Sequence, residues 1–135
     1  MSAKSANDRL FVYGTLRRGS GSAAHDWLSQ RAELLGQAWC QGRLYRIAHY
    51  PGLVLSEDTH DRVFGEVYRL HQPESTLAAL DRYEECGPGF PEPTEYVRRE
   101  LPVTLNSGEP LMAWVYQYNR TVSEDAWIPG GDFLA

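Results

Sequence analysis

In the stretch after Pro73, Leu77, Leu80 and Glu84 stand at i, i+3 and i+7, a spacing that puts all three on one face of a helix. A face that buries two leucines carries Glu84 toward the interior at the helix end. Glu85, turned by about 100°, looks toward solvent or the following loop. A carboxylate pressed into a partly dry site has its pKa raised, which suits a general base working near neutral pH. Spacing alone leaves a second reading open and favours it: the helix frays at Tyr83, and Glu84 caps it or pairs with Arg98 or Arg99.

Other residue patterns promise chemistry and fall short. Gly14-Thr-Leu-Arg-Arg-Gly19-Ser20 follows an apolar run, as a phosphate-binding loop would, yet lacks the lysine that reaches the phosphates. Gly19-x-Gly21-x-x-Ala24 matches a dinucleotide fingerprint loosely, but begins where the tight turn would already be over. Both read as structural glycines. His25, His49, His60 and His71 contain no i, i+4 pair and no zinc-like spacing, so no metal is expected. Cys86 lies beside Glu84 and Glu85, neighbours that raise a thiol's pKa and disfavour a cysteine nucleophile. Arg17 and Arg18 are able to attract an acidic substrate, although solvated loop charges are the commoner case.

The elements that must position these residues are short. Residues 10–13 form an apolar, β-rich run ending at Gly14, which reads as a buried strand, and 15–22 as a loop. Residues 25–30 suit one or two helical turns, and 32–45 suit strands bent at Gly36 and Gly42. Tyr50-Pro51-Gly52 reads as a turn and 62–70 as a strand. Pro73 opens the single convincing helix, 74–83. The proline-rich stretch 87–93 is an irregular loop, and strands at 96–105 and 111–118 flank a hairpin turn. Trp39, Trp114 and Trp127 are assigned to the core. Many short strands with few helices favour a small barrel or curved sheet over a doubly wound parallel sheet.

Composition narrows the classes. A chain of 135 residues with 42% hydrophobic side chains is globular and has room for one domain. Thirteen basic against eighteen acidic side chains give a net charge of −5, a sign that repels phosphate backbones, so no nucleic-acid partner is expected. Two cysteines do not make a disulfide framework, and no apolar run is long enough for a membrane span. Residues 1–9 lack the apolar centre of a signal peptide and read as a disordered lead. The expected setting is soluble and cytoplasmic, with residues 10–135 as one domain.

Val12-Tyr-Gly-Thr-Leu-Arg-Arg-Gly19 is followed in order by Gly42-Arg-Leu-Tyr45, Tyr50-Pro-Gly52, Gly65-Glu-Val-Tyr68, Leu80-Asp-x-x-Glu84, Tyr96-x-Arg98 and Val115-Tyr116. Any one of these is weak; the ordered set, from Leu10 to about Tyr118, resembles the γ-glutamylcyclotransferase-like family. The nearest likeness is to the AIG2-like branch that includes γ-glutamylamine cyclotransferase. The resemblance implies an α+β fold, a small mixed β-barrel flanked by a few helices. It places the catalytic glutamate at Glu84 and substrate contacts on Tyr13, Gly14, Thr15 and Leu16. The family often has glycine after that glutamate, where this chain has Glu85. That departure and the long proline-rich loop over 86–95 bear on substrate identity more than on fold.

The family reaction is an intramolecular aminolysis, in which the α-amine of a γ-glutamyl group attacks its own γ-carbonyl to give 5-oxoproline and a free amine. Such oriented reactions reach effective molarities of ~10⁵–10⁸ M, so no cofactor is demanded and the partner is a small γ-glutamyl molecule. A glycine-containing turn at 13–16 exposes backbone N–H groups for a carboxylate or a developing oxyanion. The resemblance implies that Glu84 takes a proton from the α-ammonium and returns it to the leaving nitrogen. Tyr96 and Tyr116 are either pocket hydroxyls or strand aromatics packing the core. The rival of another class is a non-catalytic module that holds a small ligand in the same pocket.

Overall fold

A computed structural model describes residues 7–86 and 89–134. In chain order the elements are β1 (Arg9–Val12), α1 (Ala23–Ser29), β2 (Ala32–Gln41), β3 (Arg43–Arg46), β4 (Pro51–Val54), β5 (Arg62–Leu70), α2 (Pro73–Tyr83), β6 (Tyr96–Leu105), β7 (Pro110–Tyr118), a 3₁₀ turn (Glu124–Ala126) and β8 (Trp127–Ile128). The antiparallel order β1-β5-β2-β6-β7 closes on itself through a parallel contact of Leu10 with Trp114. The result is a mixed five-stranded barrel. β4 joins β7 in parallel at Leu53 and Gln117, and β3 and β8 extend the sheet beyond it.

Alternation along the strands divides the core in two. Phe11, Val63, Val67, Val103, Ala113 and Val115 pack together as one cluster. Leu10, Val12, Tyr68 and Leu70, one residue out of phase, pack with Leu28 of α1 and Leu77 and Leu80 of α2. β1 is therefore apolar on both faces, as its uninterrupted run implies. The leucine face of α2 is buried as its spacing requires, and each such leucine stabilises the fold by about 1.5–3 kcal/mol. At Gly65 a Cβ would lie 2.1 Å from the carbonyl oxygen of Val12, so β1 packs where a side chain would stand.

Four expectations need correction. Pro51 and Gly52 open strand β4 and do not form a turn; the reversal lies just before, where Ile47 and Ala48 donate to the carbonyl of Tyr50. Proline has no N–H to place in a ladder, so it suits a strand's first residue. Gly52 is needed because a Cβ would meet Tyr118 at 2.7 Å. Trp39, Trp114 and Trp127 are half-buried, with the guanidinium groups of Arg62, Arg98 and Arg43 over their rings, and of the three Trp114 packs against the Leu10 cluster of the core. Arg17 is buried instead of solvated: it donates to Asp132 at 2.7 Å and lies 3.8 Å from Glu66. Of the lead expected over 1–9, residues 1–6 lie outside the described residues, while Arg9 begins β1 and Asn7 accepts from Trp114. No helix of the described residues is long and apolar enough to cross a membrane.

Candidate active site

Where β1 ends, the chain turns through Gly14, Thr15 and Leu16, and every carbonyl of that turn is occupied. Gly14 accepts from the N–H of Arg17, Thr15 from the hydroxyls of Ser20 and Ser22, and Leu16 from Nδ1 of His25. With the carbonyls held on one side, the N–H groups of Gly14, Thr15 and Leu16 have no acceptor among the described residues. This is a short nest of donors, the geometry that holds anions without a charged side chain. Gly14 is required there, since a Cβ would stand 2.8 Å from the Pro51 ring.

A buried carboxylate fixes the turn from beneath. Glu66 accepts from the N–H of Arg18 at 2.8 Å and from the hydroxyl of Tyr68 at 3.1 Å, with Arg17 alongside. A buried acid holds its place when its oxygens are bonded and a cation lies close, and Glu66 meets both conditions. The Gly-Glu-x-Tyr segment thus serves the turn's shape.

Across the cavity stands the end of α2. Glu84 is the C-cap residue, its N–H donating to Leu80. Glu85 follows at φ 52°, and the N–H groups of Glu85 and Cys86 return to the carbonyls of Arg82 and Asp81. This is the Schellman ending of a helix, and its left-handed position is the one that glycine takes freely. A glutamate there costs about 1 kcal/mol. The helix does stop at Tyr83, but Glu84 pairs with neither Arg98 nor Arg99 among the described residues. Arg98 donates instead to both oxygens of Asp81, at 2.8 and 3.1 Å. The Glu84 carboxylate accepts no hydrogen bond among the described residues. Burial, and then the negative charge of Glu95, push it up to about 7.

Phe11, Tyr13, Tyr96 and Tyr116 complete the buried walls of this cavity of about 240 Å³, which also takes in Gly14, Thr15, Leu16 and Glu84. The five residues named from the resemblance, and Tyr96 and Tyr116 with them, therefore line one space. The tyrosine hydroxyls, however, are engaged. Tyr13 donates to the carbonyl of Tyr116 and accepts from the N–H of Leu53, bridging β7 and β4. Tyr96 donates to the carbonyl of Pro51 at 2.7 Å and Tyr116 to Asp81 at 2.7 Å. Burial raises all three, so they remain neutral donors. They line the pocket and pack the core at once.

Sequence reasoning missed Glu95, whose carboxylate accepts from the hydroxyl of Tyr50 at the cavity wall. Forty-five residues separate the pair, and no local pattern joins them. It also missed Asp81, which binds Arg98, Tyr116 and the thiol of Cys86, although its place in Leu-Asp-x-x-Glu was a signal. Burial and Asp81 push that thiol up to about 12, as its acidic surroundings lead one to expect. No group of three or more His, Cys, Asp or Glu side chains among the described residues is arranged to hold a metal ion.

A family model described as gamma-glutamyl cyclotransferase, AIG2-like, matches residues 10–135. The gamma-glutamylcyclotransferase family protein YtfP of Escherichia coli K12 is 37% identical over 127 residues, covering 93% of this chain and 96% of that one. A gamma-L-glutamyl-butirosin B gamma-glutamyl cyclotransferase of Niallia circulans is 37% identical over 113 residues, covering 82% of this chain and 67% of the other. The crystal structure of an AIG2-like protein from Mus musculus superposes with a TM-score of 0.72, with 24% identity over 93% of this chain and 87% of that one.

Proposed function

This chain belongs to the AIG2-like gamma-glutamyl cyclotransferase family, and from that premise we propose that residues 10–135 act as one domain converting a γ-glutamyl amine or γ-glutamyl amino acid to 5-oxoproline. The observation that carries the reading is the meeting, in one cavity, of three unpaired backbone donors and an unpaired carboxylate raised to about 7. The two ends suit the two needs of the reaction.

The turn at Gly14–Leu16 takes the negative charge, either the substrate's α-carboxylate or the oxygen that forms as the γ-carbonyl is attacked. The Glu84 carboxylate accepts a proton from the α-ammonium. The freed nitrogen attacks the γ-carbon; the new N–C bond forms and the bond to the leaving nitrogen breaks. Glu84 then returns the proton to that nitrogen. Atoms balance without water: the attacking nitrogen, an ammonium at the start and a lactam N–H at the end, loses two protons. The leaving nitrogen, an amide N–H at the start, gains both and departs as an ammonium, Glu84 carrying first one and then the other. The neutral walls of Tyr13, Tyr96 and Tyr116 fold the substrate so that its ends meet.

The test is a panel of γ-glutamyl amines, γ-glutamyl amino acids and glutathione, assayed for 5-oxoproline. The expected result is 5-oxoproline from some members and none from N-acetylated versions, whose nitrogen no longer attacks. Amine release from an acetylated substrate would mean ordinary hydrolysis. Saturable binding with no 5-oxoproline from any member would make the protein a binding module.

A further inference from the structure

Arg17 closes the donor turn, and its side chain is held from a distant part of the chain. Its N–H donates to the carbonyl of Gly14 at 3.0 Å, and the next N–H, that of Arg18, goes to Glu66 at 2.8 Å, so these two bonds set the curve of residues 14–16. The Arg17 side chain is buried and does not line the cavity. Glu66 attracts it without bonding it: Nε stands 3.8 Å from that carboxylate and has no hydrogen-bond partner among the described residues. The one hydrogen bond of the guanidinium among those residues runs from Nη1 to Oδ1 of Asp132, at 2.7 Å and 115 residues away.

Asp132 is itself firmly anchored. Gly131 sits at φ 69°, in the left-handed region, and a Cβ there would lie 1.9 Å from the carbonyl oxygen of Arg62. The Gly131 carbonyl accepts from the N–H of Phe64 at 2.8 Å, and its N–H returns to Ile128 at 3.0 Å. Phe133 packs against the Phe11 cluster with the guanidinium of Arg46 over its ring, and Oδ1 of Asp132 also accepts from the N–H of Leu134 at 3.0 Å. The segment after β8 is thus pinned to β5, the strand that also carries Glu66. We propose that Asp132 is a positioning residue: through Arg17, the segment after β8 holds the Gly14–Leu16 turn in the shape that aims its N–H groups at the substrate's negative charge. The inference rests on the cyclisation reading above and adds a further part of the chain to it. A bond between a buried guanidinium and a carboxylate is short and directional, so its loss frees Arg17 and loosens the turn that Arg17 closes. Misplacing groups around a reacting centre by about 1 Å costs up to about 10²-fold in rate.

The test compares Asp132→Ala, Asp132→Asn and, as a control, Asp125→Asn at an exposed carboxylate just before β8. With the panel member that the parent turns over fastest, kcat/KM for 5-oxoproline should fall at least about tenfold in Asp132→Ala. It should fall about threefold in Asp132→Asn, whose amide oxygen still accepts, and stay level in Asp125→Asn. The acid limb of the profile near pH 7 belongs to Glu84, at the other end of the cavity, and should not move. Amide exchange followed by NMR gives a readout without turnover: the N–H groups of Arg17 and Arg18 should exchange fastest in Asp132→Ala, more slowly in Asp132→Asn and slowest in the parent, with those of β5 and β7 unchanged. Parent-like kcat/KM in Asp132→Asn, whether or not the alanine variant folds, overturns the inference, as does a shifted acid limb; either leaves the cyclisation reading standing. If the parent releases no 5-oxoproline, the cyclisation reading fails, and amide exchange decides alone: equal rates in Asp132→Asn and the parent overturn the inference, and faster exchange at Arg17 and Arg18 supports it.

Discussion

The two ends of the cavity are built on opposite principles. At the β1 end the donors are main-chain N–H groups, fixed because three carbonyls and a buried glutamate hold the turn from behind. At the α2 end the working group is one side chain with no partner among the described residues, its charge set by burial and a neighbouring acid. The first end does not titrate; the second does. In the proposed reaction, recognition is therefore spread over a backbone shape that no single side chain supplies, while proton transfer is concentrated in Glu84.

The sharpest way to break that contrast is Glu84→Gln, which keeps the shape and removes proton acceptance. General acid–base help is worth ~10²–10⁴-fold, so kcat should drop by that order while binding of a γ-glutamyl ligand, followed by calorimetry, survives. An unchanged kcat would move the chemistry to another carboxylate. Leu80→Ala removes the packing that aims the same helix and should cost ~2–5 kcal/mol in chemical denaturation; a loss below about 0.5 kcal/mol would mean the face is not core.

The same carboxylate should also cost stability. Its folded value near 7 lies above the ordinary 4.5, so it is neutral in both states below about 4.5 and penalises folding progressively up to pH 7 and fully above. At pH 8 Glu84→Gln should therefore be more stable than the parent, by roughly 1–3 kcal/mol, with no gain at pH 4. A Tm difference of the same size at both values would refute the linkage. In the parent enzyme kcat should fall as pH drops below about 7. Glu95→Gln removes a negative neighbour, so the acid limb of its profile should move to lower pH, by up to about one unit. The smallest effect is Glu85→Gly, which relieves the left-handed residue and should add about 0.5–1 kcal/mol of stability.

The asymmetry also explains what was legible beforehand. The leucine spacing of α2, the apolar run of β1 and the kink at Gly36 follow from period and glycine chemistry, which are local. Barrel closure rests on one parallel contact, Leu10 with Trp114, that no local pattern encodes. The helix pattern brought Glu84 to the right face, but its freedom from Arg98 depends on Asp81 taking that arginine across seventeen residues. Glu95 was hidden for the same reason: its partner Tyr50 lies on another strand's approach. Pro51 and Gly52 misled because the pair that usually turns a chain here permits close packing against Tyr96 and Tyr118.

All four tryptophans carry an arginine over the ring, at 4.0 to 4.5 Å, and none of them lines the cavity. Their light emission therefore reports chiefly on the scaffold. An optical melting curve read at the indoles would follow loss of the barrel, whereas occupancy of the cavity would register in the phenol resonances of Tyr13, Tyr96 and Tyr116.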